Sequence, residues 1–98
     1  MAQFDVHRLA DGALVVDVQS DLISHLQSRL VVPLIDQAEV SVTAPRLNPT
    51  IQILDKKRVL APQFAATLFA RSLGPAITSV NQHDYAIQAA LDVLIYGI

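Results

Sequence analysis

Val15-Val16-Asp17-Val18-Gln19-Ser20-Asp21-Leu22-Ile23, followed after a short polar stretch by Arg29-Leu30-Val31-Val32-Pro33-Leu34, is the part of the chain that decides its fold. Ala13 to Val18 is dominated by β-branched and aliphatic residues and reads as a strand. Gln19 to Ser28 is polar, with an apolar patch at Leu22-Ile23, and reads as a loop. Arg29 to Leu34 is the continuous apolar run of a buried strand, which Pro33 pushes towards a sheet edge or a bend. Strand, loop and strand within about twenty residues imply antiparallel pairing.

The pattern extends in both directions. Phe4 to Leu9 reads as an earlier strand, joined to Ala13–Val18 by Ala10-Asp11-Gly12, and Asp-Gly between β-rich runs is a strong hairpin signal. Residues 36–49, with Pro45 and Pro49, read as a longer irregular connection. Thr50 to Leu54 and Arg58 to Ala61 suggest a second hairpin around Asp55-Lys56-Lys57. Residues 63–73 suit helix by their alanine and leucine content, without excluding a strand, and Gly74-Pro75 breaks whatever precedes it.

A helix closes the sequence. Asn81 suits an N-cap, Asp84 complements the dipole of the first turn, and Val80 and Tyr85 occupy the positions of a hydrophobic staple. Ile87, Leu91 and Leu94 define a buried stripe, and Gly97 provides a left-handed stop. At about 100° per residue, Tyr96 faces away from that stripe, beside Tyr85 and Asp92. Leu94-Ile95-Tyr96-Gly97-Ile98 is an apolar, aromatic ending where frayed polar residues are usual. Ile98 either folds back on Val93 in a Schellman motif or meets a partner; Ile95 and Tyr96 face outwards in both cases. The expectation is a single β-rich α+β domain over residues 1–98, an antiparallel sheet or small barrel carrying a C-terminal helix.

Composition narrows the function. An apolar content of 52% suits a compact core and argues against disorder. The net charge of −2 disfavours a general nucleic-acid binder, which needs a basic face. The absence of cysteine excludes disulfides and thiolate metal sites and fits a reducing compartment. No apolar run approaches a membrane span and no signal-like segment opens the chain, so a cytoplasmic location is expected. Basic residues cluster between Arg29 and Arg71, leaving an acidic last segment with Asp84 and Asp92 that could attract a basic partner.

Catalytic signals are weak. His7, His25 and His83 show no metal-ligand spacing and read as ordinary hydrogen-bonded or solvated histidines. Asp17 and Asp21 could share acid–base or cation chemistry, or serve as Asx-type loop ligands with Arg29 as a partner. No nucleophile elbow and no phosphate-cradling glycine loop is present. No cofactor or metal is expected.

The two quoted runs resemble the CcdB toxins of bacterial toxin–antitoxin pairs, in which a VDVQSD stretch before two aliphatic residues is followed by an R-[ML]-V-[IV]-P-L strand. Gln3-Phe4-x-Val6 and an aromatic followed by Gly97-Ile98 match as well. The similarity runs nearly end to end, strongest over 15–34 and 95–98. It implies an SH3-like antiparallel barrel with a long C-terminal helix, like that of the MazF toxins, assembled as a homodimer. It further implies a non-enzymatic poison that binds the DNA gyrase A subunit and traps the cleaved gyrase–DNA complex. A CcdA-like antitoxin would neutralise it, and operator DNA would be bound only by the toxin–antitoxin complex. By motif, the gyrase-binding residues fall on Leu22, Ile23, Asp92, Ile95, Tyr96, Gly97 and Ile98. The aromatic stacks on a gyrase arginine in the family.

Three features depart from the best-known members: Tyr96 replaces tryptophan, Asp92 stands where asparagine can occur, and the Ala10–Gly12 turn is short. These keep open a homologue that binds antitoxin without poisoning gyrase. A MazF-like endoribonuclease would need a basic groove and placed acid–base groups, and the acidic balance counts against it. The chain is accordingly expected not to be an enzyme.

Overall fold

The computed structural model describes residues 2–39 and 44–98. Among these residues seven strands are followed by one helix: β1 Asp5–Arg8, β2 Leu14–Asp17, β3 Ser28–Asp36, β4 Thr50–Ile53, β5 Lys56–Leu60, β6 Ala66–Phe69, β7 Ala76–Ser79 and α1 Asp84–Tyr96. Single turns of 3-10 helix punctuate the connections. The sheet runs β4-β5-β3-β2-β1-β7, antiparallel at every pairing, with β6 joined to β3 beside this path. It forms a curled half-barrel with a C-terminal helix, which bears out the antiparallel sheet or small barrel carrying a helix that the sequence implies.

β3 is the spine. Val31 to Leu34 pair with β2 along one edge. On the other edge Ser28–Val31 pair with β6 and Leu34–Asp36 with β5, so two short strands share one long neighbour. Pro33 sits at their junction. Its carbonyl accepts the Ala61 N–H at 3.0 Å, so the N–H that proline lacks would point into the gap between β5 and β6. A proline can therefore occupy a central strand, where the sequence suggested a sheet edge or a bend.

Both faces of β2 are covered, which explains why all four of its residues are buried. On one face Ile87 and Ala90 of α1 pack with Val6, Leu14, Val16, Val32, Leu34, Ile51, Ile53, Leu60 and Val80. On the other, Val15 and Val31 are sealed by Leu73, with Leu9 and Leu68 alongside. The segment between β6 and β7 thus acts as a lid over the second face. Burying a Leu-sized side chain contributes about 1.5–3 kcal/mol, so Leu73 has a substantial stake in holding that segment down.

The first hairpin forms as expected, with Gly12 at φ 90°. The second turns over two residues, Leu54 and Asp55, at φ 54° and 64°, rather than over Asp55–Lys57. Residues 63–73 resolve into β6 flanked by 3-10 turns. β7, on the outer edge of β1, was not legible in the sequence. Of the irregular connection expected over 36–49, β3 takes Asp36 and a 3-10 turn takes Gln37–Glu39, while residues 40–43 lie outside the described residues. Among the described residues no helix is long and apolar enough to cross a membrane.

Candidate partner-binding site

α1 starts later than its sequence signals suggest. Asn81–His83 form a 3-10 turn, and the Asn81 side chain caps nothing; its N–H donates instead to Ser79 Oγ at 3.2 Å. Asp84 Oδ1 accepts the Tyr85 N–H at 2.7 Å in the first helical turn. With the helix beginning at Asp84, Tyr85 is no longer in the fourth position that a staple requires. Val80 is buried while Tyr85 is 84% exposed, and the staple does not form.

The other end of α1 is more consequential. Ile87 and Ala90 are buried, Leu91 to Val93 half-buried, and every residue from Leu94 onwards is exposed. Leu94 was expected in the core stripe, yet it is 41% exposed because the helix has run past the edge of the sheet. Gly97 adopts the left-handed conformation at φ 76° and donates its N–H to the Val93 carbonyl at 3.0 Å. That single bond is the αL stop rather than the two-bond Schellman motif. Ile98 does not fold back on Val93; it is 71% exposed, and its carbonyl accepts from Arg46 Nη2. Tyr96 is 73% exposed, as its helical phase required, and Ile95 is exposed beside it. Asp92 is half-buried one turn earlier.

Leu22 and Ile23 lie on a 3-10 turn, Asp21–Ile23, and Leu22 is 90% exposed. Polar neighbours hold the backbone of this turn while its aliphatic side chains reach solvent. Ser20 Oγ accepts the Leu22 N–H at 3.1 Å, and Asp21 Oδ1 accepts the Gln3 N–H at 2.8 Å. Asp17 Oδ1 accepts the Gln19 N–H at 3.0 Å. Its Oδ2 accepts from Arg29 Nε at 2.8 Å; Arg29 Nη2 lies equally close without the alignment of a hydrogen bond. Asp17 is therefore buried and Asp21 exposed, each with its own partners, which is the Asx and ion-pair alternative. Among the described residues no group of three histidine, aspartate or glutamate side chains could hold a metal ion. His7 is buried with Nδ1 3.2 Å from the Gly74 carbonyl, His83 is half-buried on a turn, and His25 is exposed.

The helix end brings Asp92, Ile95, Tyr96, Gly97 and Ile98 together. No hydrogen bond among the described residues joins it to the Leu22–Ile23 turn. The exposed set also includes Leu94 and Leu26, which the sequence reading missed. Leu26 follows the paired aliphatics by three residues in a polar loop, and that isolation was its only signal. Three surface pockets of about 290, 300 and 330 Å3 lie beside Phe69 and Arg71, beside Thr67 and Ser72, and between Gly12 and Arg58. None of the three is lined by the turn or the helix end. An exposed apolar surface of this kind suits a macromolecular partner that covers it.

A curled antiparallel half-barrel carrying a C-terminal helix is the frame of the CcdB- and MazF-like toxins. The chain belongs to the CcdB family: the family model described as CcdB protein matches residues 3–97. No curated protein sequence matches it significantly.

Solved structures share the fold at low sequence identity. An endoribonuclease in complex with its cognate antitoxin, from a mycobacterial species, is 17% identical with a TM-score of 0.77, over 95% of this chain and 92% of that one. A second mycobacterial endoribonuclease is 16% identical with a TM-score of 0.73, covering 95% and 88%. The Mycobacterium tuberculosis toxin MazF-mt6 is 17% identical with a TM-score of 0.72, covering 90% and 92%. These neighbours overturn the expectation that the chain is not an enzyme, because they are ribonucleases built on the same fold. That expectation rested on the resemblance to non-enzymatic toxins, the lack of a catalytic motif and the acidic balance, whereas catalysis needs only a few placed side chains on a permissive scaffold.

Proposed function

We propose that this protein is a toxin that binds the DNA gyrase A subunit and stabilises the cleaved gyrase–DNA complex. Leu22, Ile23, Asp92, Ile95, Tyr96, Gly97 and Ile98 are the contact residues, and a CcdA-like antitoxin reverses the effect. Family membership supports the reading, and one observation carries it: the helix end projects beyond the core, with Tyr96 and Ile98 in solvent. Tyr96 offers an aromatic face to a cation, a contact of about 0.5–2 kcal/mol. Gly97, lacking a side chain, lets a partner approach the backbone, and Ile98 and Leu22 are apolar plugs. The working form is a homodimer, and operator DNA is bound only once the antitoxin has joined.

The deciding experiment incubates purified protein with gyrase and supercoiled DNA and measures linearised product, with and without antitoxin. Total RNA incubated in parallel reports on RNA cleavage. Trapped DNA breaks that the antitoxin removes are the expected result. Intact DNA together with degraded RNA would overturn the reading.

A further inference from the structure

Gln19 makes two hydrogen bonds that join elements otherwise separate in the chain. Past Asp17 the ladder between β2 and β3 has one more rung, from the Val18 N–H to the Leu30 carbonyl at 3.0 Å. The Leu30 N–H donates to Gln19 Oε1 at 3.0 Å in place of the Val18 carbonyl opposite it, which accepts instead from Gln3 Nε2 at 3.1 Å. The Gln19 amide turns its Nε2 towards the 3-10 turn and donates to the Ile23 carbonyl at 3.2 Å. One planar group thus caps the β2–β3 ladder and ties down the end of the turn that carries Leu22 and Ile23. Buried Asp17 fixes the residue itself by accepting its N–H, and Asp17 is held by Arg29.

We infer that Gln19 is a positioning residue for partner binding: its amide splints the exposed Leu22–Ile23 turn to β3 and sets how those side chains are presented. An aliphatic pair on a free loop would lose conformational entropy on docking, and a splinted pair has already lost it. The inference rests on the reading of Leu22 and Ile23 as contact residues. It requires a group that both donates and accepts, which only an amide of this length supplies. Glutamate keeps the acceptor for Leu30 and replaces the donor to Ile23 with a carboxylate oxygen facing a carbonyl.

Two arms test it. In the first, amide hydrogen exchange is followed on the free protein for wild type, Gln19→Ala and Gln19→Glu. Gln19→Ala should exchange about three- to tenfold faster at Leu30, Ile23 and Ser24, as loss of an ordinary hydrogen bond predicts. Gln19→Glu should leave Leu30 protected and release only the turn. Unchanged exchange at Ile23 and Ser24 in both variants would overturn the proposal.

In the second arm, binding to a gyrase A fragment is measured for Gln19→Ala alone and combined with Leu22→Ala or Tyr96→Ala. The expected loss is about three- to tenfold alone and in the Tyr96→Ala background, and close to none once Leu22 is gone. An equal loss in all three backgrounds would make Gln19 a general stability residue and overturn its positioning role. Wild-type protein that fails to bind gyrase A sinks the functional reading instead, and the exchange arm then decides alone whether Gln19 splints the turn.

Discussion

Arg29 Nε donates to Asp17 Oδ2 at 2.8 Å across β3 and β2, with both side chains sealed from solvent. Neither charge can find water, so removing one strands the other. Arg29→Leu and Asp17→Leu are each expected to cost about 3–5 kcal/mol, and the double replacement less than their sum. Urea denaturation of the three variants checks this; single losses below about 1 kcal/mol would show that water reaches the pair.

Tyr96 has no role in the core. Tyr96→Ala should weaken gyrase trapping about two- to thirtyfold and lower growth inhibition with it, while shifting stability by no more than about 0.5 kcal/mol, the usual range for surface changes. Tyr96→Trp should strengthen trapping, since the indole is the better cation–π acceptor. Thermal melts beside the trapping assay separate binding from folding. A Tyr96→Ala protein that traps gyrase as well as wild type would remove the residue from the contact set.

Leu54 occupies a left-handed conformation at φ 54° in the turn between β4 and β5, where asparagine is at ease and leucine is strained. Leu54→Asn should stabilise by about 1 kcal/mol, raising the melting temperature by about 4–8 °C. A lower melting temperature would mean that the leucine side chain makes contacts worth more than the strain.

Asp36 is bonded to Lys56 Nζ at 2.6 Å, and this contact, followed by the Ala38 N–H, holds its carboxyl below the usual aspartate range. A depressed pKa contributes stability above the unfolded value, near 3.9, and that stability vanishes as pH falls through the folded value. Asp36→Asn should therefore be slightly less stable than wild type at pH 6 and indistinguishable from it at pH 2. Solvent around the pair keeps the difference small. Urea midpoints across this range would reveal it, and a gap that widened in acid would contradict the assignment.

Local pattern was a good guide where burial and secondary structure coincide. The β-branched and aliphatic content of Ala13–Val18 and the continuous run of Arg29–Leu34 placed β2 and β3, and Asp11-Gly12 placed their neighbour β1. β7 escaped because Ala76–Ser79 is short, largely exposed and follows a Gly-Pro break. Helical phase assigned Tyr96 correctly and Leu94 wrongly, for one reason: periodicity says which face a residue occupies but not how far along the axis the sheet continues. Gln19 was legible only as part of a motif, since its two bonds reach residues four and eleven positions away.

The overhang of α1 divides the chain into positions answerable to folding and positions answerable to a partner. Substitutions from Leu94 to Ile98 meet almost no resistance from the protein's own interior, provided the left-handed stop at Gly97 survives. The interior of β2, packed on both faces, has no such liberty. Changes in the projecting turn of the helix should accordingly register in partner binding alone, and changes in the strand that begins at Leu14 in folding first.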